Sequence, residues 1–328
     1  MTILRYGALG LALLVAACAL FTQIYAWWIE RTYPPTGRFV TVPGGRLHYR
    51  ETGPTQGQVL GTIVLLHGAS SNLEEAMLGL GTHLVGRYRV IAFDRPGHGW
   101  SDRIGGDGAA RPDRQAAVLA DGMRQLGVKD AVVVGHSFSG SIIPNLALDH
   151  RDVTGAILEL SGVTYPWPDG AIDWHYTAAT SWLGWVFTRT VTTPVGLLLL
   201  KPGASSSFAP QPLPPGFLEA SRIRLIFRPS VFQANAEDVA ELNRAVIEQS
   251  PRYKDIRVPA TVMGGEADRI VWTDLHVRSF AAAVPGAKLV TLPGVGHMPQ
   301  YTQPERVIRE IEALAEQVAR AGKKAAAQ

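Results

Sequence analysis

The stretch Val132-Val133-Val134-Gly135-His136-Ser137-Phe138-Ser139-Gly140 runs an apolar strand directly into a serine set among small residues, with a helical pattern beginning just after it. A sharp strand-to-helix turn forces its central residue into a strained backbone conformation, and small neighbours let the facing backbones approach. Gly135 meets that need. Ser139 stands where a second glycine is usual, and Gly140 follows one position late. Ser137 is therefore a candidate nucleophile exposed at the end of a strand. The alternative is that it merely caps the helix that follows.

A serine hydroxyl is a poor nucleophile at neutral pH and needs a base and an orienting acid. Working outward, Gly264-Gly265-Glu266-Ala267-Asp268 and Gly294-Val295-Gly296-His297 each follow an apolar run, with Asp268 lying 29 residues before His297. That spacing has room for one helix and one strand, so both loops return to the sheet edge that carries Ser137. Ligands of open α/β sheets bind at that edge. The expectation is a triad of Ser137, His297 as base and Asp268 as acid, in the chain order Ser, Asp, His. Glu266 and Glu159 remain alternative acids. Leu66-His67-Gly68-Ala69 ends another apolar run, so the backbone N–H groups of Ala69 and Phe138 are the expected oxyanion donors, with His67 as a structural hydrogen-bonder.

The strands around these motifs are read at Phe39–Val42, Leu47–Glu51, Thr62–Leu66, Arg89–Phe93, Ala131–Val134, Gly155–Leu160, Ala260–Met263 and Lys288–Leu292. The first two form a hairpin across Pro43-Gly44-Gly45. The later strands alternate with helical stretches at 73–85, 114–126, 138–150, 275–284 and 304–321. Continuous apolar runs alternating with helices imply a mostly parallel, doubly wound sheet covered on both faces. The rhythm stops at Gly162 and resumes at Pro259. Residues 163–258 are thus expected to be a helical cap inserted into a core of 37–162 and 259–321. Trp182 and Trp185, spaced for one helical face, are candidate substrate contacts there, packing within the cap and bilayer contact being the alternatives.

The N-terminus carries a separate signal. Tyr6 to Ile29 has 24 residues and no formal charge, about 36 Å as a helix against a bilayer core of about 30 Å. Residues 1–36 are expected to be a single-pass membrane anchor and linker, with membrane lipid as partner. A cleaved secretory signal and a lipoprotein signal ending at Cys18 are the other readings. Arg5 before the span and Glu30-Arg31 after it leave the side of the membrane open. Residues 322–328 are expected to be a disordered tail.

Composition excludes other classes. A net charge of +3 from 31 Lys and Arg against 28 Asp and Glu, evenly spread, does not suggest a nucleic-acid surface. A single cysteine allows no disulfide framework, and the histidines lack metal-site spacing, so no metal is expected; acyl transfer by a Ser-His-Asp triad requires no organic cofactor either.

His67 to Ser70, Asp94-Arg95-Pro96-Gly97-His98-Gly99-Trp100-Ser101-Asp102, Gly135 to Gly140, Gly264 to Val271 and Gly294 to Pro299 together resemble the α/β-hydrolase superfamily, in its capped branch of esterases, lipases and carbon–carbon bond hydrolases. The resemblance covers about Phe39 to Val318. It implies that the segment after Asp94 is a structural loop and that the insertion lies over Ser137. It also implies a carboxylic-ester hydrolase working through an acyl-enzyme; relatives that open epoxides or remove halogens carry aspartate at the nucleophile position. A carbon–carbon hydrolase, lactonase, amidase or cofactor-free perhydrolase would use the same triad, and a non-catalytic ligand-binding receptor could share the fold.

Overall fold

The structure is a computed structural model and describes residues 2–168 and 173–326. The chain opens with helix α1 (Thr2–Thr32), followed by β1 (Arg38–Val42), β2 (Gly45–Thr52), β3 (Thr62–Leu66), α2 (Leu73–Ala76), α3 (Thr82–Leu84), β4 (Arg89–Phe93), α4 (Pro112–Gln125), β5 (Ala131–His136), α5 (Ile143–Asp149) and β6 (Thr154–Leu160). A helical stretch follows: α6 (Trp174–Thr180), α7 (Gly184–Thr190), α8 (Thr192–Phe208), α9 (Phe217–Ala220) and α10 (Pro229–Gln249). The sheet then resumes with β7 (Ala260–Gly265), α11 (Ser279–Ala283), β8 (Lys288–Leu292), α12 (Pro299–Thr302) and α13 (Pro304–Ala326).

The eight strands form one sheet in the order β1-β2-β4-β3-β5-β6-β7-β8. The β1–β2 and β2–β4 pairs are antiparallel and the rest are parallel. The continuous apolar runs have a direct cause. Val132 and Val134 of β5, Ile63 and Leu65 of β3, and Val90 and Ala92 of β4 face one layer with α13 residues. Val133, Val64, Leu66, Ile91 and Phe93 face the opposite layer with α4 and α5 residues. These three central strands therefore bury both faces, and each fully buried aliphatic side chain contributes roughly 1.5–3 kcal/mol.

The helices answer with matching stripes. Ala116, Leu119, Ala120 and Met123 of α4 are buried at helical spacing, as are Val307, Ile311 and Leu314 of α13. The expected helix over 73–85 is instead broken by a π-helical turn at Met77–Gly81, and that over 275–284 begins with another at Asp274–Arg278. α13 runs to Ala326, so the tail expected to be disordered over 322–328 is helical through Ala326, in keeping with the strong helix propensity of Ala and Lys. Its last two positions lie outside the described residues.

The helical stretch between β6 and β7 is tied to the sheet by a buried ion pair. Arg95 Nη1, after β4, donates to Asp238 Oδ2 of α10 at 2.8 Å, with both side chains fully buried. Arg103 Nη1 donates to the other oxygen at 2.7 Å.

Candidate active site

Strand β5 passes into a 3-10 turn at Ser137–Ser141 before α5 begins. Ser137 has φ +54°, a left-handed conformation that costs a non-glycine residue roughly 1–2 kcal/mol. Gly135 makes the turn sterically feasible: a Cβ there would lie 2.6 Å from Ile143 Cγ2 and 2.7 Å from the Ser139 carbonyl oxygen. Ser139 does more than fit where glycine is usual. Its buried hydroxyl donates to the His67 carbonyl at 2.6 Å, joining the serine turn to the loop after β3.

The structure brings together the three residues singled out from sequence. Asp268 follows β7 and His297 follows β8. His297 Nδ1–H donates to Asp268 Oδ2 at 2.7 Å, and the Ser137 hydroxyl lies 2.9 Å from His297 Nε2. Asp268 is held from its other side, where Oδ1 accepts the backbone N–H groups of Ile270 (2.8 Å) and Val271 (2.9 Å). His136 Nε2–H donates to the His297 carbonyl at 3.0 Å and steadies the backbone of that loop. Ala69 lines the cavity beside Ser137, and a Cβ on Gly68 would stand 2.9 Å from Ser137 Cβ, so glycine makes this approach possible. The Phe138 ring turns into the core under the Arg95 guanidinium, 4.2 Å away.

The other singled-out groups fall outside this chain of hydrogen bonds. Glu266 meets Arg278 at the surface, at 3.3 Å. His67 donates from Nδ1 to the Gly68 carbonyl at 2.8 Å and accepts the Arg95 N–H on Nε2 at 3.0 Å. Burial, reinforced by the Arg95 charge, lowers its pKa to about 3, so it is a neutral structural group. Asp94 accepts backbone N–H groups of Leu73 and Trp100 and the His48 ring, which makes its loop a structural knot.

Glu159 is fully buried, its Oε1 accepting the Gly162 N–H and its Oε2 lacking a partner among the described residues. Burial pushes this carboxyl well above the usual range against the pull of the Gly162 N–H, and the Asp268 charge adds to the rise. A raised folded-state pKa contributes stability that is fully present below the ordinary value and lost as pH rises towards the raised one. Wild type should therefore lose stability relative to Glu159→Gln by up to ~1.4 kcal/mol per pH unit as the pH rises above the ordinary carboxylate range, read from urea midpoints in detergent. A difference independent of pH would mean that Glu159 is already charged in the fold.

The Ser137–His297 pair opens on a cavity of about 790 Å³, the size of a small-molecule site. Its walls include Leu200, Phe208, Phe217, Phe227 and Met298. No Arg or Lys lines it among the described residues, but Glu75 does. Burial raises the Glu75 pKa against hydrogen bonds that include a 3.1 Å contact from Gln300 Nε2. Nothing in the pattern Leu73-Glu74-Glu75 distinguishes this residue from a solvated helix start, so sequence reading missed it. Tyr176 and Asn235 were missed likewise; Asn235 Oδ1 accepts the Ser70 N–H at 2.6 Å and fixes the loop beside Ala69. Trp182 and Trp185, expected as substrate contacts, are not cavity walls. Trp182 is 89% exposed and precedes α7, while Trp185 points outward under Arg189 at 4.4 Å.

These features coincide with a known group of proteins. The chain belongs to the alpha/beta hydrolase family, whose profile matches residues 63–310. It is 25% identical over 285 residues to a 2-hydroxy-6-oxononadienedioate/2-hydroxy-6-oxononatrienedioate hydrolase of Paraburkholderia phymatum, covering 85% of this chain and 95% of that one. It is 26% identical over 293 residues to a bifunctional esterase/perhydrolase of Acinetobacter calcoaceticus, covering 85% and 99%. Among solved structures, a thermophilic esterase from Thermogutta terrifontis superposes with a TM-score of 0.66 at 21% identity, over 86% of this chain and 99% of that one, a likeness of fold.

Proposed function

We propose that this hydrolase cleaves carboxylic esters of moderately hydrophobic acids through an acyl-enzyme on Ser137. The observation that carries the reading is the hydrogen-bonded chain from Asp268 through His297 to Ser137 at the floor of an apolar cavity. With Nδ1–H committed to Asp268, the Nε2 lone pair of His297 accepts the Ser137 proton as Oγ attacks the ester carbonyl. The backbone N–H groups of Ala69 and Phe138 receive the developing oxyanion. His297 then hands the proton to the departing alkoxide, and a water activated by the same imidazole releases the acid and restores Ser137. Asp268 holds the tautomer and stabilises the imidazolium.

The apolar walls favour an acyl chain over a charged group. A dioate, such as the P. phymatum relative's name specifies, would find no Arg or Lys among the cavity walls and would meet Glu75. An ester is therefore the better match than a dianionic carbon–carbon substrate. Each further methylene buried is worth up to ~0.8 kcal/mol. From acetate to hexanoate, kcat/KM on p-nitrophenyl esters should rise roughly two- to fourfold per carbon. A preference for acetate over every longer chain would remove the hydrophobic-acyl reading. A fluorophosphonate that labels the wild type and fails to label Ser137→Ala would support Ser137 as nucleophile, and absence of labelling in both would favour a binding role.

A further inference from the structure

Helix α1 is not an independent tether. From Leu4 through Ala17 its residues are exposed, and burial begins at Cys18 and Ala19 and becomes complete at Thr22 and Ile29. The partners are α7, α8 and the turn at Ile223–Phe227. Tyr25 packs edge-on to Phe227, with centroids 6.4 Å apart. At the end of the helix, Arg228 meets Glu30 at 3.5 Å and the Tyr33 carbonyl accepts Trp100 Nε1–H at 3.1 Å. These polar contacts mark a level at which α1 would leave an apolar medium.

Between the charge of Arg5 and the first partly buried position at Cys18 stand twelve residues, Tyr6 to Ala17. They rise only ~18 Å, little more than half of a bilayer core of ~30 Å. For α1 to cross, the segment from Cys18 to about Tyr25 must also lie within the apolar slab, and the helices docked against it must enter with it. Their surface suits this. From Trp174 to Phe208 there is no carboxylate, and the formal charges are those of Arg189 and Lys201. Trp174, Trp182, Trp185, Leu198 and Leu199 of this stretch are all exposed. That is the composition of helices lying at a lipid interface, with aromatic rings and cations where headgroups begin.

The same stretch walls the cavity: Leu199 is 58% exposed and Trp174 67% exposed, yet both line the space that reaches Ser137. We propose that α6–α8 lie in the apolar surface layer of the membrane that α1 enters, so that the cavity mouth opens to lipid and takes an ester dissolved in the bilayer. The substrate half of this rests on the ester-hydrolase reading above; the membrane-docked surface does not.

The test uses the full chain with Cys18→Ser, reconstituted in phosphatidylcholine/phosphatidylglycerol vesicles. A single cysteine carrying an environment-sensitive fluorophore is placed by Trp182→Cys, Leu198→Cys or, as an exposed control on the loop before β5, Lys129→Cys. Labels at 182 and 198 should be quenched by nitroxide on lipid acyl chains and shielded from aqueous iodide, with the reverse at 129. Iodide access at 182 and 198 equal to that at 129 overturns the docked surface. In a second arm, Trp182→Glu/Leu198→Glu should lower hydrolysis of a vesicle-borne acylglycerol tenfold or more while leaving a soluble p-nitrophenyl ester within twofold. Equal loss on both overturns lipid-phase delivery. Hydrolysis of neither by the wild type overturns the ester reading alone, because the quenching still decides the surface.

Discussion

Replacing Ser137 by alanine should lower kcat by on the order of 10⁶, the loss seen when a serine triad is deprived of its nucleophile. The structure makes this a clean deletion. Oγ is the only Ser137 side-chain atom engaged with His297, and the backbone conformation is imposed from outside by Gly135, Ser139 and the Val163 N–H donating to the Ser137 carbonyl at 3.0 Å. What survives is the cavity and the N–H groups of Ala69 and Phe138, so substrate binding should change little. Ser137→Gly should be as inactive yet more stable by roughly 1 kcal/mol, because glycine adopts φ +54° without the steric cost. Steady-state kinetics with a p-nitrophenyl ester and urea denaturation of the three proteins supply both readouts. A loss of only a few fold in kcat would end the assignment of Ser137 as nucleophile.

Asp268→Asn should cost about 10⁴ in kcat with KM nearly unchanged. The direction follows from which oxygen is already committed. Oδ1 accepts the N–H groups of Ile270 and Val271, so an asparagine must keep its carbonyl there and turn its NH₂ towards His297 Nδ1. Two donors cannot face each other, so the imidazole must carry its proton on Nε2, where it points at Ser137 and cannot accept. The partner experiment is Glu159→Gln, which should leave kcat within a few fold, since Glu159 bonds to Gly162 and not to His297. If Glu159→Gln were the damaging change and Asp268→Asn the mild one, the acid would have to be reassigned.

How much of this was legible depends on what each residue's neighbours in sequence reveal. β3 and β4 begin and end where the apolar runs do, because burial of both faces leaves no polar position to blur the boundary. Ser137, Asp268 and His297 could be picked out because glycines mark each loop and the strand rhythm sends the loops to one edge. The helix breaks at Met77–Gly81 and Asp274–Arg278 were not legible, since a π-turn changes no residue type. Glu75 and Asn235 were invisible because their surroundings come from segments far away in the chain: Gln300 for the one, Ser70 for the other. Trp182 and Trp185 show the limit of periodicity. Spacing tells that two rings share a face; it does not tell whether that face looks inward.

Arg95 bears on how a ligand gets in. Its guanidinium is fully buried between the Phe138 ring, the Gly68 carbonyl, His98 and Asp238, so it clasps the serine turn, the loop after β3 and α10 together. Pulling α10 away would strand a buried charge, at a cost of roughly 3–5 kcal/mol. A molecule with α10 detached would then be populated at well under one part in a hundred. Among the described residues, α6, α7 and α8 on the other side of the cavity carry no buried ion pair of this kind. The ion pair thus fixes one jamb of the cavity, and the opposite jamb is the wall that carries the outward-facing tryptophans.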